Sequence, residues 1–513
     1  MNGLKFHFEF YLIQTFNFIL LTLNLLMASL EELREVRLAK LQKLKEKGID
    51  PYPSTSFITH SISKATEDFD ELSAKEEKVV LAGRVMSIRA QGALIFFNFF
   101  DGTGNFQALL KNEEDTKDAF ELFGDVVDIG DFVEVSGTLF VTRTGQKTIQ
   151  VLSWRMLTKT LLPLPEKWHG LQDVEERFRK RYLDFLGNDD VRDVFVKKAK
   201  FWKTVRDFFN SKDFLEVETP TLEITTGGAE ARPFKTHHND FDIEVFLRIS
   251  VGELWQKRLM AGGFPRTFEI GKVYRNEGTS PDHLQEFTNV ECYAAFMNLD
   301  EGKALVRDLY IKIAQEVFGK TEFTTRGHTF DLGGEWGEID YVEEVQKQTG
   351  VNVLDASEKE MEEALDKLGV KYDGKNRERM MDSLWKYCRK NISGPVFLVN
   401  HPKVVAPLSK ENKNDARKTE MFQVIIAGSE IGRAHAELND PIDQANRFEI
   451  QNKLIKEGDE EAMMPDIEFV EMLEHGMPPV FGFGFGERFF SFLLDMPIRE
   501  TQMFPLMKPE NSK

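Results

Sequence analysis

Arg275, Glu277, Glu291 and Tyr293 fall in two short runs of strand-like alternation within residues 267–296, TFEIGKVYRNEGTSPDHLQEFTNVECYAAF. Residues two apart on a strand share a face. Arg275 and Glu277 therefore point one way on the first run, and Glu291 and Tyr293 do so on the second. If the runs pair as a hairpin, one sheet face carries a guanidinium, two carboxylates and a phenol. An arginine fork suits a phosphate or a carboxylate, and an acid beside a tyrosine hydroxyl suits an ammonium group. The polar stretch between the runs adds His283, Glu286 and Phe287. This pattern predicts a site for a zwitterionic or phosphorylated small molecule. A solvated ion-pair ladder is the bland alternative.

Two further stretches carry chemistry. In FGFGFGER (481–488), Phe481, Phe483 and Phe485 would face a core. Gly482, Gly484 and Gly486 would leave the other strand face bare, where a flat ligand could lie against backbone. Arg488 follows at once, and a guanidinium can stack on an adenine ring. Close strand–helix packing would ask for the same glycines. No GxxxxGK[ST] phosphate loop occurs in the chain. In GSEIGRAHAELND (428–440), Glu430 and Glu437 lie seven positions apart, on opposite faces of a regular strand. A bulge at Gly432 would bring them together. Two carboxylates suit Mg²⁺ shared with substrate phosphates. His435, between them, reads as structural.

The elements that must position these groups follow from spacing. Residues 28–48 read as a helix with Leu30, Leu33, Val36, Leu41 and Leu44 on one stripe and Gly48 as its stop. Residues 49–78 read as a linker. Residues 79–160 hold about five short strands with Gly turns, which suits a small closed barrel. LLPLPEKWHG (161–170) is a Pro-rich joint. Residues 171–211 are helical, with Phe195, Ala199, Trp202, Val205 and Phe209 on one stripe. FLEVETPTLE (214–223) is a strand ended by Pro220, and TTGGAEARPF (225–234) is a Gly-rich loop. Helices are expected at 339–348, 358–390 and 440–457. Strands are expected at 396–408 and 420–431, and a last strand and helix at 480–495.

Composition limits the classes. The 513 residues exceed one domain, and 41% hydrophobic with 29% charged residues describe a globular protein. The net charge of −19 argues against a non-specific nucleic-acid binder. Two cysteines, Cys292 and Cys388, have neither a disulfide framework nor metal spacing, which points to a reducing compartment. Residues 6–27 are apolar but interrupted by Gln14, Thr15, Asn17, Thr22 and Asn24. From Met27 the chain reads as an ordinary cytosolic start. Met27 is therefore the expected initiator and 1–26 an upstream extension. A membrane anchor or an interfacial helix is the alternative.

In order and spacing, FLEVETPTLE, FEIGKVYRNEG…EFTNVECY and GFGFGER…IRETQMFP resemble the three signature motifs of class II aminoacyl-tRNA synthetases. LPLPEKWHGLQDVEERFRKRYLD, GGAEARPFKTHHN, PLSKENKND, EIGRAHAELNDPIDQANRF and GDEEAMMPDIEFVEMLEHGMPP are similar to the lysyl-tRNA synthetases in particular, over roughly 28–510. The resemblance implies an α+β protein. An N-terminal oligonucleotide-binding barrel (79–160) would read the anticodon. After a linker (161–180), a catalytic domain (181–510, with a largely helical segment at 331–393) would be built on an antiparallel sheet flanked by helices. It implies that the chain makes lysyl-adenylate and pyrophosphate from L-lysine and ATP, then transfers lysine to the 3′ end of tRNA(Lys). A cytoplasmic homodimer with its interface around Pro220 is implied as well.

By the same resemblance Arg275 would bridge the amino-acid carboxylate and the α-phosphate. Glu277 would touch adenine, Phe287 and Arg488 would sandwich it, and His283 would lie near the terminal phosphates. Arg275, Glu277 and Arg488 would be the catalytic set. Glu430 and Glu437 would hold Mg²⁺. Glu253 and the Gly228 carbonyl would bind the α-amino group, and Glu291, Tyr293 and Glu437 the side-chain ammonium. Arg84, Phe96 and Gln107 would contact the anticodon, with Phe96 stacking on a base. An aspartyl- or asparaginyl-type synthetase, a membrane-associated lysine transferase, a protein-modifying paralogue and a non-catalytic RNA-binding relative are the rivals.

The chain departs from the pattern in places. Arg433 stands where the family usually has Asn, and would repel a lysine ammonium unless it points away or pairs with an acid. Asp282 replaces a frequent basic residue, and Glu487 a frequent Asp. RISVGEL is one residue longer than usual, and the stretch from Pro479 to Arg488 one shorter.

Overall fold

A computed structural model describes residues 29–165, 171, 173–229, 231–372, 376–457 and 462–510. The expected extension at 1–26, Met27, and residues 166–170 of the Pro-rich joint lie outside these. The chain divides into one compact unit that ends at Arg177 and a second that begins at Phe178. No helix among the described residues is long and apolar enough to cross a membrane.

The first unit opens with α1 (Leu30–Glu46), set by a capping box. Ser29 Oγ accepts from the Glu32 amide at 3.1 Å, and the Glu32 carboxylate accepts from the Ser29 amide. Its expected apolar stripe is not a buried one: Leu44 is buried, whereas Leu30, Leu33 and Val36 are exposed. The supposed linker is also part of the fold. It forms α2 (Ile62–Glu67) and α3 (Phe69–Ala74), whose Ile62, Ala65, Phe69 and Leu72 join the barrel core. Six-residue helices carry too few turns for a period to show in sequence.

The barrel closes as β1-β2-β3-β5-β4, from β1 (Val79–Gln91), β2 (Leu94–Phe100), β3 (Asn105–Lys111), β4 (Phe132–Val141) and β5 (Lys147–Thr158). Alternation turns Ile95, Phe97 and Phe99 inward. A helix absent from the sequence reading, α4 (Lys117–Val126), seats Phe123 against Phe97 and Trp154, with centroids 4.6 and 5.2 Å apart.

In the second unit the first helical stretch divides into α5 (Val174–Arg179), which straddles the boundary, α6 (Arg181–Gly187) and α7 (Asp189–Asn210). The buried stripe of α7 is Phe195, Phe201, Thr204, Val205, Phe208 and Phe209, whereas Ala199 is exposed and Trp202 half-buried. FLEVETPTLE yields only two-residue strands, β6 (Leu215–Glu216) and β7 (Leu222–Glu223). Next come β8 (Lys235–His238), β9 (Ile243–Leu247) and α8 (Glu253–Ala261). The hairpin is real: β10 (Arg266–Tyr274) pairs antiparallel with β11 (Glu286–Ala295).

After α9 (Leu299–Ile313) come β12 (Glu322–Thr325), β13 (His328–Asp331) and β14 (Gly337–Asp340). The helix expected over 358–390 is two, α11 (Glu358–Lys367) and α12 (Arg377–Cys388), after α10 (Tyr341–Thr349). The strand expected over 396–408 stops early, as β15 (Val396–Val399), because Asn400 takes a positive φ of 59°. Then follow β16 (Met421–Ile426), β17 (Ser429–Ala436), α13 (Pro441–Lys456), the unforeseen α14 (Ile467–His475), β18 (Val480–Gly486) and α15 (Arg488–Leu493).

One eight-stranded sheet organises this unit, in the order β14-β15-β16-β17-β18-β11-β10-β6. It is antiparallel except at its two edge pairs. One face packs on α7 and α9 through an aromatic core that includes Phe201, Phe209, Phe268, Tyr310, Phe422, Phe483 and Phe489. Tyr310 stacks on Phe489 with ring centroids 4.2 Å apart. The other face carries the cleft.

Candidate active site

The cleft has a volume of about 350 Å³ and lies over the middle of the sheet. β18 shows how the sequence makes it. Phe481, Phe483 and Phe485 are buried in the core, as alternation requires. Gly482, Gly484 and Gly486 open on the cleft. A Cβ on Gly482 would fall 2.1 Å from Glu437 Oε1, and one on Gly484 would fall 2.9 Å from Glu291 Cγ. The bare face therefore makes room for functional side chains as well as for a ligand.

The bulge on β17 falls at Ile431, one residue before the expected Gly432. Val424 pairs with Gly432 and Ile425 with Glu430, so Ile431 is the extra residue. Its carbonyl, lost to the ladder, accepts a hydrogen bond from Tyr310 Oη at 3.1 Å. The shift of register turns Glu430 onto the cleft face with Arg433, His435 and Glu437.

Gly228, Glu253, Arg275, Glu277, His283, Phe287, Glu291, Tyr293, Glu430, Glu437 and Arg488 all line this one cleft. Arg275 and Glu277 do so from the loop just beyond β10 rather than from the strand. Arg84, Phe96 and Gln107 belong to the barrel. Gln107 accepts from Thr148 Oγ1 at 2.8 Å, and lies opposite Asn98, two residues along β2 from Phe96. Arg84 stands further along, opposite Phe100, with its guanidinium 4.3 Å from the Phe132 centroid.

One end of the cleft is acidic. Glu291 accepts from the Val251 amide at 2.9 Å, from Asn289 Nδ2 at 3.2 Å and from Tyr293 Oη at 3.0 Å. Glu253, the first residue of α8, and Glu437 both meet the buried ammonium of Lys257, at 2.7 and 2.6 Å. Lys257 was not singled out from the sequence, although an acid and a lysine four apart on a helix is a readable pair. Two of the three acids thus share one internal cation. Burial, reinforced by the Glu253 charge, pushes the Glu291 carboxyl up to about 7. Burial also pushes Glu437 up, against the opposing pull of Lys257. Gly228, at φ +86°, lies against this end; a Cβ there would fall 2.7 Å from Glu253 Oε2.

The other end is cationic. Arg275 Nε and Nη2 donate to the Ile249 carbonyl at 3.3 Å, and its guanidinium lies 5.3 Å from the Phe287 centroid. Arg488, the first residue of α15, donates to the Glu430 carbonyl. The Glu430 carboxylate accepts from Trp385 Nε1 at 2.9 Å and Gln423 Nε2 at 3.3 Å, and faces Arg389 at 3.6 Å. Burial pushes Glu430 up, but the Arg389 and Arg433 charges outweigh it and leave the carboxyl below its ordinary value. Gln423 is itself held by His401 at 3.1 Å. This His401–Gln423–Glu430 chain had no sequence signal, since its members come from a loop and two strands. Burial and the Arg488 charge push the His283 imidazole down.

Glu430 and Glu437 take different partners, Trp385, Gln423 and Arg389 for the first and Lys257 for the second. Among the described residues no group of three or more His, Cys, Asp or Glu side chains gathers as for a metal. Asp282, at the cationic end, is paired with Arg326. Glu487 is buried away from the cleft, against Lys198 at 2.5 Å and the Thr288 amide at 3.1 Å.

Residues 173–508 match the family described as tRNA synthetases class II (D, K and N), and residues 79–157 match the OB-fold nucleic acid binding domain. The chain is 42% identical over 487 residues to a lysine–tRNA ligase of Thermotoga maritima, covering 94% of this chain and 97% of that one. It is 42% identical to a lysine–tRNA ligase of Roseiflexus castenholzii (94% and 99% covered) and 40% identical to one of Thermosipho africanus (94% and 97%). With a barrel, an antiparallel sheet and a cleft of this composition, the chain belongs to the class II tRNA synthetases, among the lysine–tRNA ligases.

Proposed function

We propose that the cleft joins L-lysine to ATP as lysyl-adenylate and then passes lysine to the 3′ end of tRNA(Lys). The observation that carries the choice of lysine is the acidic end, where Glu253 and Glu437 share Lys257 and Glu291 lies beside them with no ion pair of its own among the described residues. A buried acid cluster with one cation is under-neutralised, and a ligand bearing two ammonium groups completes it. A neutral analogue would leave a buried charge unpaired and be rejected strongly. In the first step a lysine carboxylate oxygen attacks the α-phosphorus, and pyrophosphate leaves with the bonding pair. No enzyme nucleophile is needed, so placement and charge stabilisation carry the rate. In the second, a hydroxyl at the tRNA 3′ end attacks the activated carbonyl and AMP leaves.

We assign Glu291 with Tyr293, and Glu437, to the side-chain ammonium, and Glu253 with the Gly228 carbonyl to the α-amino group. Arg275 reaches the carboxylate and α-phosphate, Phe287 and Arg488 hold adenine between them, Glu277 touches its edge, and His283 lies near the terminal phosphates. Of the two roles expected for Glu437, its contact with Lys257 favours the amino acid over the metal. Mg²⁺ binds through one or two carboxylates plus substrate phosphates. Glu430, at the cationic end, fits that requirement; the ion would there offset phosphate charge. On the barrel, Arg84, Phe96 and Gln107 are assigned to the anticodon. A homodimer is supported by large apolar side chains left exposed on either side of Pro220 along the chain, with Leu215 50%, Leu222 49% and Ile224 69% exposed.

The deciding experiment is amino-acid-dependent exchange of pyrophosphate into ATP, run with all twenty amino acids. Exchange with lysine alone is expected. Exchange with aspartate or asparagine instead would overturn the substrate, and no exchange would favour a regulatory relative. Light scattering with and without Leu222→Glu tests the dimer.

A further inference from the structure

Arg433 is the one cleft guanidinium that the roles above leave unused. It stands on β17 between Gln423 of β16 and Gly484 of β18. Gly484 in turn pairs with Glu291 of β11, so Arg433 and Glu291 lie in one row across the sheet with a bare glycine between them. The side chain lines the cleft and is exposed within it. Arg275, Arg389 and Arg488 each donate to a carbonyl or face a carboxylate. Arg433 alone of these makes no hydrogen bond or ion pair among the described residues. The nearby acids have other partners: Glu437 and Glu253 have Lys257, and Glu430, which feels the Arg433 charge without pairing with it, has Trp385, Gln423 and Arg389. Arg433 also acts on Arg275 as a like charge, adding to the burial that holds that guanidinium below its ordinary value. Glu277 and Glu291 offset part of that repulsion, but neither makes an ion pair with Arg433, whose fork remains open to an anion in the cleft.

We infer that Arg433 is an anion receptor for the reacting centre, binding the lysine carboxylate and the α-phosphate oxygens as the adenylate forms. This rests on the reading that the cleft makes lysyl-adenylate. Arg433 stands two strands from Glu291 and shares the cleft with Arg275, so it can meet the carboxylate and α-phosphate of a ligand whose ammonium groups occupy the acids. As the carboxylate oxygen bonds to the α-phosphorus and the bond to pyrophosphate breaks, charge builds on the α-phosphate oxygens. A preplaced fork stabilises that charge more than it stabilises either separate substrate. A carboxylate and phosphate bound between Arg433 and the ammonium would shield the ammonium from its charge.

The test compares the wild-type chain with Arg433→Gln and Arg433→Lys in lysine-dependent pyrophosphate exchange, with calorimetric binding of lysine alone as a second readout. In Arg433→Gln, exchange kcat is expected to fall about 10²–10³-fold, as for loss of one transition-state donor. Lysine affinity should fall by much less than kcat, because the fork stabilises the charge that builds on the α-phosphate more than the carboxylate of free lysine. Arg433→Lys should recover part of the rate, a point charge replacing a fork. Unchanged kcat in Arg433→Gln, or tighter lysine binding with a higher kcat, would overturn the role and make Arg433 only a repulsive neighbour. If the wild-type chain itself shows no lysine-dependent exchange, the adenylate reading fails first, and the role of Arg433 falls with it.

Discussion

Gly482→Ala tests the bare strand face most directly. Gly482 lies inside β18 with no positive φ, so alanine suits its backbone and only space is at issue. An added methyl would fall 2.1 Å from Glu437 Oε1 and 2.7 Å from Tyr293 Cε1, where 3.4 Å is the lower end of ordinary contact. Glu437 must therefore retreat by about 1 Å or more, and it cannot do so freely while Lys257 holds it at 2.6 Å. A misplacement of about 1 Å in a positioned group can cost about 10²-fold in rate, or about 2.7 kcal/mol. We expect kcat/KM for lysine in pyrophosphate exchange to fall by about that factor, while KM for ATP stays near the wild-type value. Gly486→Ala supplies the control at the adenine end. Its methyl would fall 3.3 Å from Asn289 Oδ1 and 3.6 Å from Phe287 Cε2, a near-ordinary fit, and should cost only a few-fold. If Gly482→Ala keeps wild-type kcat/KM for lysine, or loses ATP affinity instead, then Glu437 does not shape the lysine end and the reasoning is wrong.

Other outcomes follow from the same cleft. Because burial pushes Glu291 up to about 7, the acid is charged and receptive only above that pH. KM for lysine should then rise as pH falls through that value, by roughly tenfold per pH unit; a flat profile would refute the assignment. Lys257→Met leaves Glu253 and Glu437 buried without their cation and should lose about 3–5 kcal/mol of stability in denaturant unfolding. Part of that loss should return at lower pH, as Glu437, already pushed up by burial, takes up a proton. Glu223 is a raised acid outside the cleft: burial pushes it to about 7, and its Oε2 has no hydrogen-bond partner. A raised carboxyl favours the folded state below its folded value, and that contribution is lost as pH rises from 4.5 through about 7. Glu223→Gln should accordingly stabilise the protein above that pH, by up to about 3 kcal/mol. Phe96→Ala should weaken tRNA charging by about 1–3 kcal/mol with exchange unchanged; unaltered charging would remove Phe96 from the anticodon site.

Much of the site is legible in sequence because period-two alternation sorts strand residues onto faces without any tertiary knowledge. The Phe and Gly faces of 480–486 and the shared face of Glu291 and Tyr293 follow from that rule alone, as does the barrel at 79–160. The need for a bulge near Glu430 is legible for the same reason, since seven positions is an odd spacing. Its place at Ile431 is not, because it depends on Tyr310 arriving from α9 to take the freed carbonyl. The helical stripes fared worse. Which residues of α7 are buried depends on which neighbours reach it, so Phe201 and Phe208 replace Ala199 on the packed face. The short helices at 62–67 and 69–74 have no readable period, and only the barrel they pack on makes them helical.

Residue types set the chemistry the cleft offers: guanidiniums, carboxylates and a phenol. The tertiary structure alone decided how those charges are shared. It tied Glu437 to Lys257 and Glu430 to Trp385 and Gln423. It also left Arg433 facing the cleft without a partner. Charge pairing is a matter of ångströms across strands distant in sequence, and no local pattern along the chain encodes it.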